Sequence, residues 1–340
     1  MIRLALCPIL CLAFLASPLA QPSAVGRVQQ LAPDVYFYEG DISKGHCNNG
    51  WVVFEDYVLV IDANYPSGAR EVIAKIRELT QKPVRFAFDT HHHGDHAYGN
   101  QVWVEQGATP VAHTAVLDEM KRLETGLFGD RPGRWEDEAK NREDLRGSKL
   151  KPPTLLFPDM LIFDDGKHRV ELRHFGTAHT KGDGVAWLPK EKIVFTGDMA
   201  VNGAYNFVGD GSVASWIPTL AKVAGLGPAK VGPGHGPLGD AAVIEDQALY
   251  FKELTAAVTA ASQGKAAAAV QAAIPAMRAE LAKNGRIKKY LGDGFAAHVA
   301  KVFNEITGGT LPDRQAEIDA ARQHVAWHHG HAHDDAGAHE

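Results

Sequence analysis

Residues 88–100 read FDTHHHGDHAYGN and place three adjacent histidines directly before a Gly-Asp-His sequence. No ordinary turn requires so many imidazole groups side by side. Imidazole nitrogens and carboxylate oxygens are side-chain ligands that zinc accepts. The segment therefore predicts a metal site, and it raises the question of how many metal ions these side chains hold.

An apolar run at Val84–Phe88 predicts a short strand that leads into this segment. Side chains alternate between the two faces of a strand, so residues two positions apart point the same way. If the strand ends at the histidines, His91 and His93 share a face and His92 points away from them. The pattern is then H-x-H-x-D-H, with His92 as a spacer.

Further candidate ligands lie in short loops along the chain. Asp95 and His96 complete the opening motif, and His179, Asp198 and His235 follow later in GTAHTKGD, FTGD and VGPGHG. The first two of these later loops each follow a predicted strand, and glycines in the third allow close approach of the backbone. Ligands placed after several strands can meet at one edge of a sheet, as expected for a site carried by loops on a rigid scaffold.

The composition is that of an ordinary globular protein. Hydrophobic residues make up 45% and charged residues 22% of the 340 residues, and the formal net charge is −6. A nucleic-acid-binding protein needs a basic stripe, which this sequence lacks. We therefore expect a small-molecule substrate and no nucleic-acid partner.

The N-terminus has the pattern of an export signal. Arg3 precedes an apolar run at Leu4–Leu15, and small residues follow, so residues 1–20 are predicted to be a signal peptide. Pro8 interrupts the run, which is shorter than the roughly 20 residues of a membrane span, so no stable membrane anchor is expected. The predicted location is periplasmic or secreted. Cleavage would leave Cys47 as the single cysteine, which excludes an internal disulfide.

Short apolar runs alternate with helical patterns as far as about residue 200. Strands followed by helices, twice over, predict an α/β fold of two stacked halves whose sheets face inward. The helices are expected at Ala69–Leu79, with Val72, Ile73, Ile76 and Leu79 on one buried face, and at Ala115–Leu123. The predicted strands are Val35–Tyr38, Trp51–Phe54, Tyr57–Ile61, Val84–Phe88, Pro110–His113, Leu155–Phe157, Leu161–Phe163, Arg169–Phe175, Val185–Leu188 and Ile193–Thr196.

Two other regions differ from the rest of the chain in composition and pattern. Residues 126–151 are rich in Gly, Pro and charged residues and predict a surface loop or flap beside the site. Beyond residue 240 the pattern is helical, and these helices are expected to pack on the core. They are predicted at Ala241–Ala261, Ala266–Lys283 and Phe295–Ile306. The predicted organisation is a main domain at 21–245, a helical extension at 246–312 and a His-rich flexible tail at 313–340.

The ordered set of candidate ligands resembles that of the metallo-β-lactamase-fold hydrolases. The resemblance extends from about Val35 to about Gly239 and rests on His91, His93, Asp95, His96, His179, Asp198 and His235, in that order. It implies a four-layer αββα sandwich, here with a C-terminal helical extension, and a metal-dependent hydrolase.

The resemblance also implies how the ligands are shared between two zinc ions. One ion is assigned to His91, His93 and His179, the other to Asp95, His96 and His235, and Asp198 bridges the two. Iron or manganese at one site stays an alternative. A hydroxide between the ions would attack the carbonyl of an ester, lactone, thioester or amide, and Asp95, the candidate catalytic residue, would orient it.

The residue at position 198 separates branches of this family. The most widespread class B β-lactamases have a Cys there and, three residues later, a Lys that binds the carboxylate of the drug. This chain has Asp198 and Val201 instead. A bridging Asp is similar to the glyoxalase II, lactonase and phosphodiesterase members. A carbonyl hydrolase is therefore expected, with a β-lactamase as the alternative.

Candidate substrate-binding residues lie in two loops. His46 and Asn48 come before Trp51, and Asn202 and Tyr205 follow Asp198. Asn and Tyr side chains can donate to a developing oxyanion. Asn-Asn-Gly is also a turn signal in its own right, so the first loop has a purely structural alternative.

A zinc-binding or storage protein is the competing class. The tail carries His324, His328, His329, His331, His333 and His339, a tract that could buffer zinc. Storage would explain the tail but not the ordered ligand set. Deletion of the tail distinguishes the two hypotheses.

Overall fold

The computed structural model describes residues 24–263, 266–309 and 311, which form two β-sheets with helices on their outer faces. The first sheet has seven strands in sequence order: β1 Val28–Ala32, β2 Val35–Tyr38, β3 Asn49–Val53, β4 Val58–Ile61, β5 Val84–Asp89, β6 Thr109–His113 and β7 Leu155–Phe157. The second has five, in the order β12-β11-β10-β9-β8: β8 Met160–Asp164, β9 Arg169–His174, β10 Gly184–Leu188, β11 Ile193–Gly197 and β12 Lys230–Pro233.

Each sheet combines an antiparallel part with a parallel part. Strands β1 to β4 are antiparallel, whereas β4 to β7 are parallel. In the second sheet only β11 and β12 are parallel. Parallel neighbours need crossover connections, usually helical. The helices are α1 Pro66–Leu79, α2 Gly94–Ala97, α3 Asn100–Glu105, α4 Thr114–Leu123, α5 Thr125–Phe128, α6 Arg134–Ala139, α7 Val213–Ala224, α8 Ala242–Ser262, α9 Ala267–Leu281 and α10 Phe295–Thr307.

The alternation of apolar side chains along the strands produces the layers. Val52 and Leu59 face the other sheet and pack in the central core with Phe195 of β11. Their sequence neighbours Val53 and Val58 face outward and pack against α1. Because both faces of both sheets are buried, helices cover each outer face, which gives the four-layer αββα arrangement.

The C-terminal helices cover the outer face of the second sheet. Trp216 of α7, Phe251 of α8 and Val299 of α10 pack in one cluster with Val194 and Val231 of that sheet. The predicted αββα fold with a C-terminal helical part is therefore confirmed.

Most predicted elements are present within two residues at each end. Strands β1 and β12 and helices α2, α3 and α7 were not predicted, since the first four are short, β12 contains glycine and α7 has a proline inside it. Helix α1 begins earlier, at Pro66, and Leu79 at its last position is 46% exposed rather than buried. A residue in the last turn has no further turn to cover it, so the buried face ends with Ile76.

The prediction of a loop at residues 126–151 was wrong in part. The region contains most of α5, all of α6 and a 3-10 turn at Glu143–Leu145, and both Leu145 and Leu150 are buried. Helices of four to six residues are too short to produce a visible apolar period.

Some predictions concern residues outside the described ranges. The signal peptide at 1–20 and the tail at 313–340 both lie there and stay predictions. The boundary between 245 and 246 also stays a prediction, and α8 runs across it. In the part of the chain that the structure describes, no helix has the length and apolar character needed to cross a membrane.

Candidate metal centre

The seven candidate ligands meet at one edge of the two sheets, in the loops that follow four strands. His91 follows β5, His179 follows β9, Asp198 follows β11 and His235 follows β12. Parallel pairing of β11 with β12 places their carboxyl ends side by side, which explains why the last two ligands are close.

The first group is formed by three imidazoles. His93 Nδ1 lies 3.1 Å from His91 Nε2 and 2.8 Å from His179 Nε2. Three nitrogens bound at ~2.0–2.1 Å to one tetrahedral zinc ion lie roughly 3.3 Å apart. The group therefore has close to the spacing that one metal ion requires.

The second group combines a carboxylate with two imidazoles. Asp95 Oδ2 lies 3.0 Å from His235 Nε2 and 3.4 Å from His96 Nε2, and the two nitrogens are 3.4 Å apart. Its carboxylate is 23% exposed whereas His96 is fully buried, so the open side of this group is at Asp95.

Asp198 lies between the two groups and faces both. Its Oδ1 is 3.3 Å from His96 Nε2 and 3.5 Å from His235 Nε2, while its Oδ2 is 3.6 Å from His179 Nε2. Although Oδ1 is buried, no donor among the described residues makes a hydrogen bond to it. A buried acceptor without a donor is costly, and a cation on each side of the carboxylate would satisfy it.

Four of the imidazoles have their other ring nitrogen beside an oxygen atom. The hydrogen-bond partners are Thr90 Oγ1 for His91 (3.1 Å), Asp210 Oδ2 for His93 (3.0 Å) and the Phe207 carbonyl for His179 (2.8 Å). Asp62 Oδ2 lies 3.0 Å from His96 Nδ1 as an ion-pair contact and not as a hydrogen bond. Such contacts fix the tautomer and orientation of a metal-binding histidine and leave the inner nitrogen free as a ligand.

Sequence reasoning missed these four partners of the imidazoles. Asp62 had a usable signal, since it follows β4 as Asp198 follows β11. Its left-handed backbone (φ 66°) turns the carboxylate so that Oδ1 also accepts from the Thr90 amide (2.9 Å) and hydroxyl (2.7 Å). The Phe207 acceptor is a main-chain carbonyl, which no side-chain motif could indicate.

The electrostatics favour metal binding. Burial lowers the pKa of the His91 imidazole well below its usual value, so it is neutral, the form that binds a metal. Burial works to raise the pKa of Asp198, but His235 and His96 outweigh it and hold the pKa below its ordinary range. Burial works to lower the pKa of His96 and of His235, but neighbouring acidic groups outweigh it and raise both, so these two imidazoles must release a proton to bind a metal. Imidazole nitrogens and carboxylate oxygens are a suitable donor set for zinc.

His92 is not part of either group. Its position outside the three-imidazole group agrees with the predicted spacer, but the reason given was wrong, because β5 ends at Asp89 and the histidines form a turn. His92 is buried, with Nε2 at 3.5 Å from Arg134 Nη1 and 3.9 Å from Asp210 Oδ2.

The first predicted substrate loop has protein partners. His46 Nε2 lies 2.8 Å from Ser67 Oγ, so its hydrogen bond is to α1 and not to any of the seven. The Asn48 amide donates to the carbonyls of Pro233 (2.9 Å) and Gly236 (2.8 Å). Both side chains are buried, and their hydrogen bonds hold this loop in place. This is the purely structural role that was the alternative for the first loop.

The second predicted loop lies closer to the ligands. Asn202 donates its side-chain amide to the Pro237 carbonyl (2.9 Å) and accepts from Lys289 (3.1 Å). Tyr205 is 37% exposed, and its ring centroid is 5.8 Å from that of His235. Of the four predicted substrate residues, Tyr205 is the one whose side chain is both exposed and beside a ligand.

Comparisons with known proteins identify the family of this chain. The family model of the metallo-beta-lactamase superfamily matches residues 42–235, more than half of the chain. The chain therefore belongs to the metallo-beta-lactamase superfamily.

Individual relatives are more distant. The chain is similar to a metallo-beta-lactamase type 2 of Bacteroides fragilis, with 33% identity over 108 residues, which are 30% of this chain and 43% of the relative. The match thus spans less than half of that relative. A metallo-beta-lactamase from Pontibacter korlensis superposes with a TM-score of 0.54 at 19% identity, covering 66% of this chain and 98% of that one. TMB-1 superposes with a TM-score of 0.52 at 17% identity, covering 67% of this chain and 97% of that one. At such identities the structures support the fold alone.

Proposed function

We propose that this chain is a dinuclear zinc hydrolase that cleaves a carbonyl substrate, either an ester, lactone, thioester or amide. The observation that carries the proposal is the position of Asp198, whose two oxygens face two separate groups of ligands. In this assignment His91, His93 and His179 hold one ion, Asp95, His96 and His235 hold the other, and Asp198 contacts both. When bound, two zinc ions would activate water and polarise the carbonyl oxygen.

The chain's own residues have distinct tasks in this proposal. The imidazoles of His91, His93 and His179 are held in fixed orientations, because their outer nitrogens have hydrogen-bond partners. Asp95 is on the open side of its group, so its carboxylate can accept a hydrogen bond from the attacking water and orient it. Tyr205 is exposed beside His235 and could donate to the substrate oxygen.

The residue at position 201 favours a carbonyl substrate other than a β-lactam. Val201 is fully buried, and its amide donates to Gln247 Oε1 (2.8 Å), so it cannot reach a substrate. A cation that binds the carboxylate of a drug is therefore absent from this position. β-Lactam hydrolysis is the second candidate because the Bacteroides fragilis relative is a metallo-beta-lactamase.

A substrate panel on zinc-loaded protein tests the proposal. We expect hydrolysis of esters or acyl lactones that is lost on chelation and in Asp198→Ala, with slower or no turnover of nitrocefin. A protein that retains two ions but hydrolyses no ester, lactone, thioester, phosphodiester or β-lactam would contradict it. Export is proposed from the apolar N-terminus, and the N-terminal sequence of the protein recovered from cells tests it.

A further inference from the structure

An arginine from helix α6 reaches the edge of the candidate metal centre. Arg134 Nη1 lies 2.6 Å from Asp210 Oδ2, and its Nη2 lies 2.9 Å from Asp210 Oδ1. The pair is thus bidentate, the strongest arrangement of a guanidinium with a carboxylate. The Asp210 side chain is only 2% exposed and that of Arg134 is 21% exposed, so water screens this contact weakly.

Asp210 also contacts a proposed ligand. The Oδ2 atom that Arg134 contacts lies 3.0 Å from His93 Nε2, on the side of the ring opposite to the inner nitrogen Nδ1. His93 Nδ1 is the atom that faces His91 and His179. Arg134, Asp210 and His93 therefore form a continuous chain of contacts that ends at a ligand atom.

The guanidinium restricts the carboxylate in two ways. Its charge offsets the cost of burying Asp210, which would otherwise favour a different rotamer or the protonated form. Its planar fork contacts both oxygens, so the plane of the carboxylate is fixed and Oδ2 is directed at His93. A single ammonium group could contact only one oxygen with good geometry, so a lysine would leave this rotation free.

Helix α6 is itself attached to the protein around the centre. The amide of Trp135, next to Arg134, donates to Glu124 Oε2 (2.8 Å), and Tyr65 donates its hydroxyl to Glu138 Oε2 (2.7 Å). The Glu136 carboxylate accepts from the Gly133 amide (2.7 Å) at the start of the helix. These contacts fix the position of Arg134. Residues 125–145 are therefore attached to the protein around the candidate centre.

We propose that Arg134 is a positioning residue of the metal centre, acting through Asp210 on the orientation of His93. The segment that contains α5 and α6 is by this inference part of the metal-binding structure. The inference rests on the proposed dinuclear centre, since it concerns the affinity of the ion assigned to His91, His93 and His179.

The test is a set of zinc titrations against a chromophoric chelator, which resolve two successive dissociation constants for the full chain. We expect Arg134→Ala to lower the affinity for one of the two ions by about tenfold, the lower end of the range for residues that contact a ligand from outside. The affinity for the other ion should stay unchanged. Arg134→Lys should fall between the wild type and Arg134→Ala. Arg131→Ala is the matched control, because Arg131 is in the same segment but exposed, and it should bind both ions like the wild type.

The double variant Arg134→Ala/Asp210→Asn tests whether Arg134 acts through Asp210. If it does, the double variant binds zinc no more weakly than Asp210→Asn alone. A further loss of about tenfold in the double variant would overturn the inference. So would wild-type affinities in Arg134→Ala, or equal weakening of both ions together with a lower melting temperature of the metal-free protein. A wild-type chain that binds no zinc would instead refute the proposed function.

Discussion

At the scale of single residues, the centre depends on a glycine as closely as on its ligands. A Cβ atom on Gly234 would lie 2.0 Å from Asp198 Oδ1 and 2.6 Å from the carbonyl carbon of Gly197. The Gly234 amide also donates to the Gly197 carbonyl (2.9 Å), which holds the two loops together. Since β11 and β12 are adjacent and parallel, any side chain at this position must displace the proposed bridging carboxylate.

We therefore expect Gly234→Ala to weaken zinc binding at least tenfold, because Asp198 contacts both groups and its displacement affects both ions. The measurement is the same chelator competition, with circular dichroism to verify the fold. Gly285→Ala is a matched control, since a Cβ atom at Gly285 meets nothing within 4 Å and should change neither affinity nor fold. Unchanged affinity in Gly234→Ala would show that Asp198 does not bridge two ions.

The residues that meet at the candidate centre could be identified from the sequence, whereas the residues that orient them could not. His91, His93 and Asp95 lie in one short motif, and His179 and Asp198 follow recognisable strands. In contrast, Asp210 is 117 residues from His93 and lies in a loop without a motif. Its role depends on the packing of that loop against the turn after β5, which no local pattern encodes.

At the scale of elements, α10 does more than cover the second sheet. The Tyr250 hydroxyl of α8 lies 2.6 Å from His298 Nδ1, and His298 Nε2 lies 2.8 Å from the carbonyl of Asn206. Asn206 precedes Phe207, whose carbonyl is the acceptor for the candidate ligand His179. The sequence predicted these helices only as packing, because a single buried histidine gives no sign of its partners.

Because of His298, we expect the stability of the folded protein to depend on pH. Burial lowers the pKa of this imidazole to about 4, so the folded protein keeps it neutral where an unfolded chain binds a proton. Its contribution to stability is complete above pH ~6.5 and is lost progressively as the pH falls towards 4, up to about 3 kcal/mol. Urea unfolding of the metal-free protein between pH 4 and 7.5 measures this loss.

The comparison variant is His298→Gln, which cannot titrate. It should be less stable than the wild type at pH 7.5, by about 1–2 kcal/mol for impaired hydrogen bonds, but should lose less stability between pH 6.5 and 4. Other buried groups titrate in both proteins, so the difference between the two slopes belongs to His298. Parallel curves would exclude a depressed pKa at this residue.

At the scale of the whole molecule, the sequence indicated which segments are strands but not how they are ordered. The helices predicted at Ala69–Leu79 and Ala115–Leu123 lie between β4 and β5 and between β6 and β7, and both pairs of strands are parallel, as a helical crossover allows. The parallel pairing of β11 with β12 could not be predicted, since β12 was not recognised. That pairing brings Asp198 beside His235, so the second group of ligands depends on the least predictable strand.

Metal binding should therefore increase the stability of the whole fold. The ligands come from both sheets, and an unfolded chain does not hold them together, so bound metal stabilises the folded state. For an ion at 100 times its Kd the gain is about 2.7 kcal/mol, which corresponds to a melting temperature about 5–10 °C higher. We expect chelation to lower the melting temperature by at least this amount, as measured by calorimetry.

The same measurement on a chain truncated after Asp313 separates catalysis from zinc storage. The truncation removes every histidine of the tail but none of the seven proposed ligands. If those seven hold the metal, the truncated protein retains two ions and shows the same fall in melting temperature on chelation. If the tail is the main store, truncation removes most of the bound zinc and the chelator has little effect. Zinc in a polar tail would not stabilise the fold, because such a tail binds metal whether or not the domain is folded.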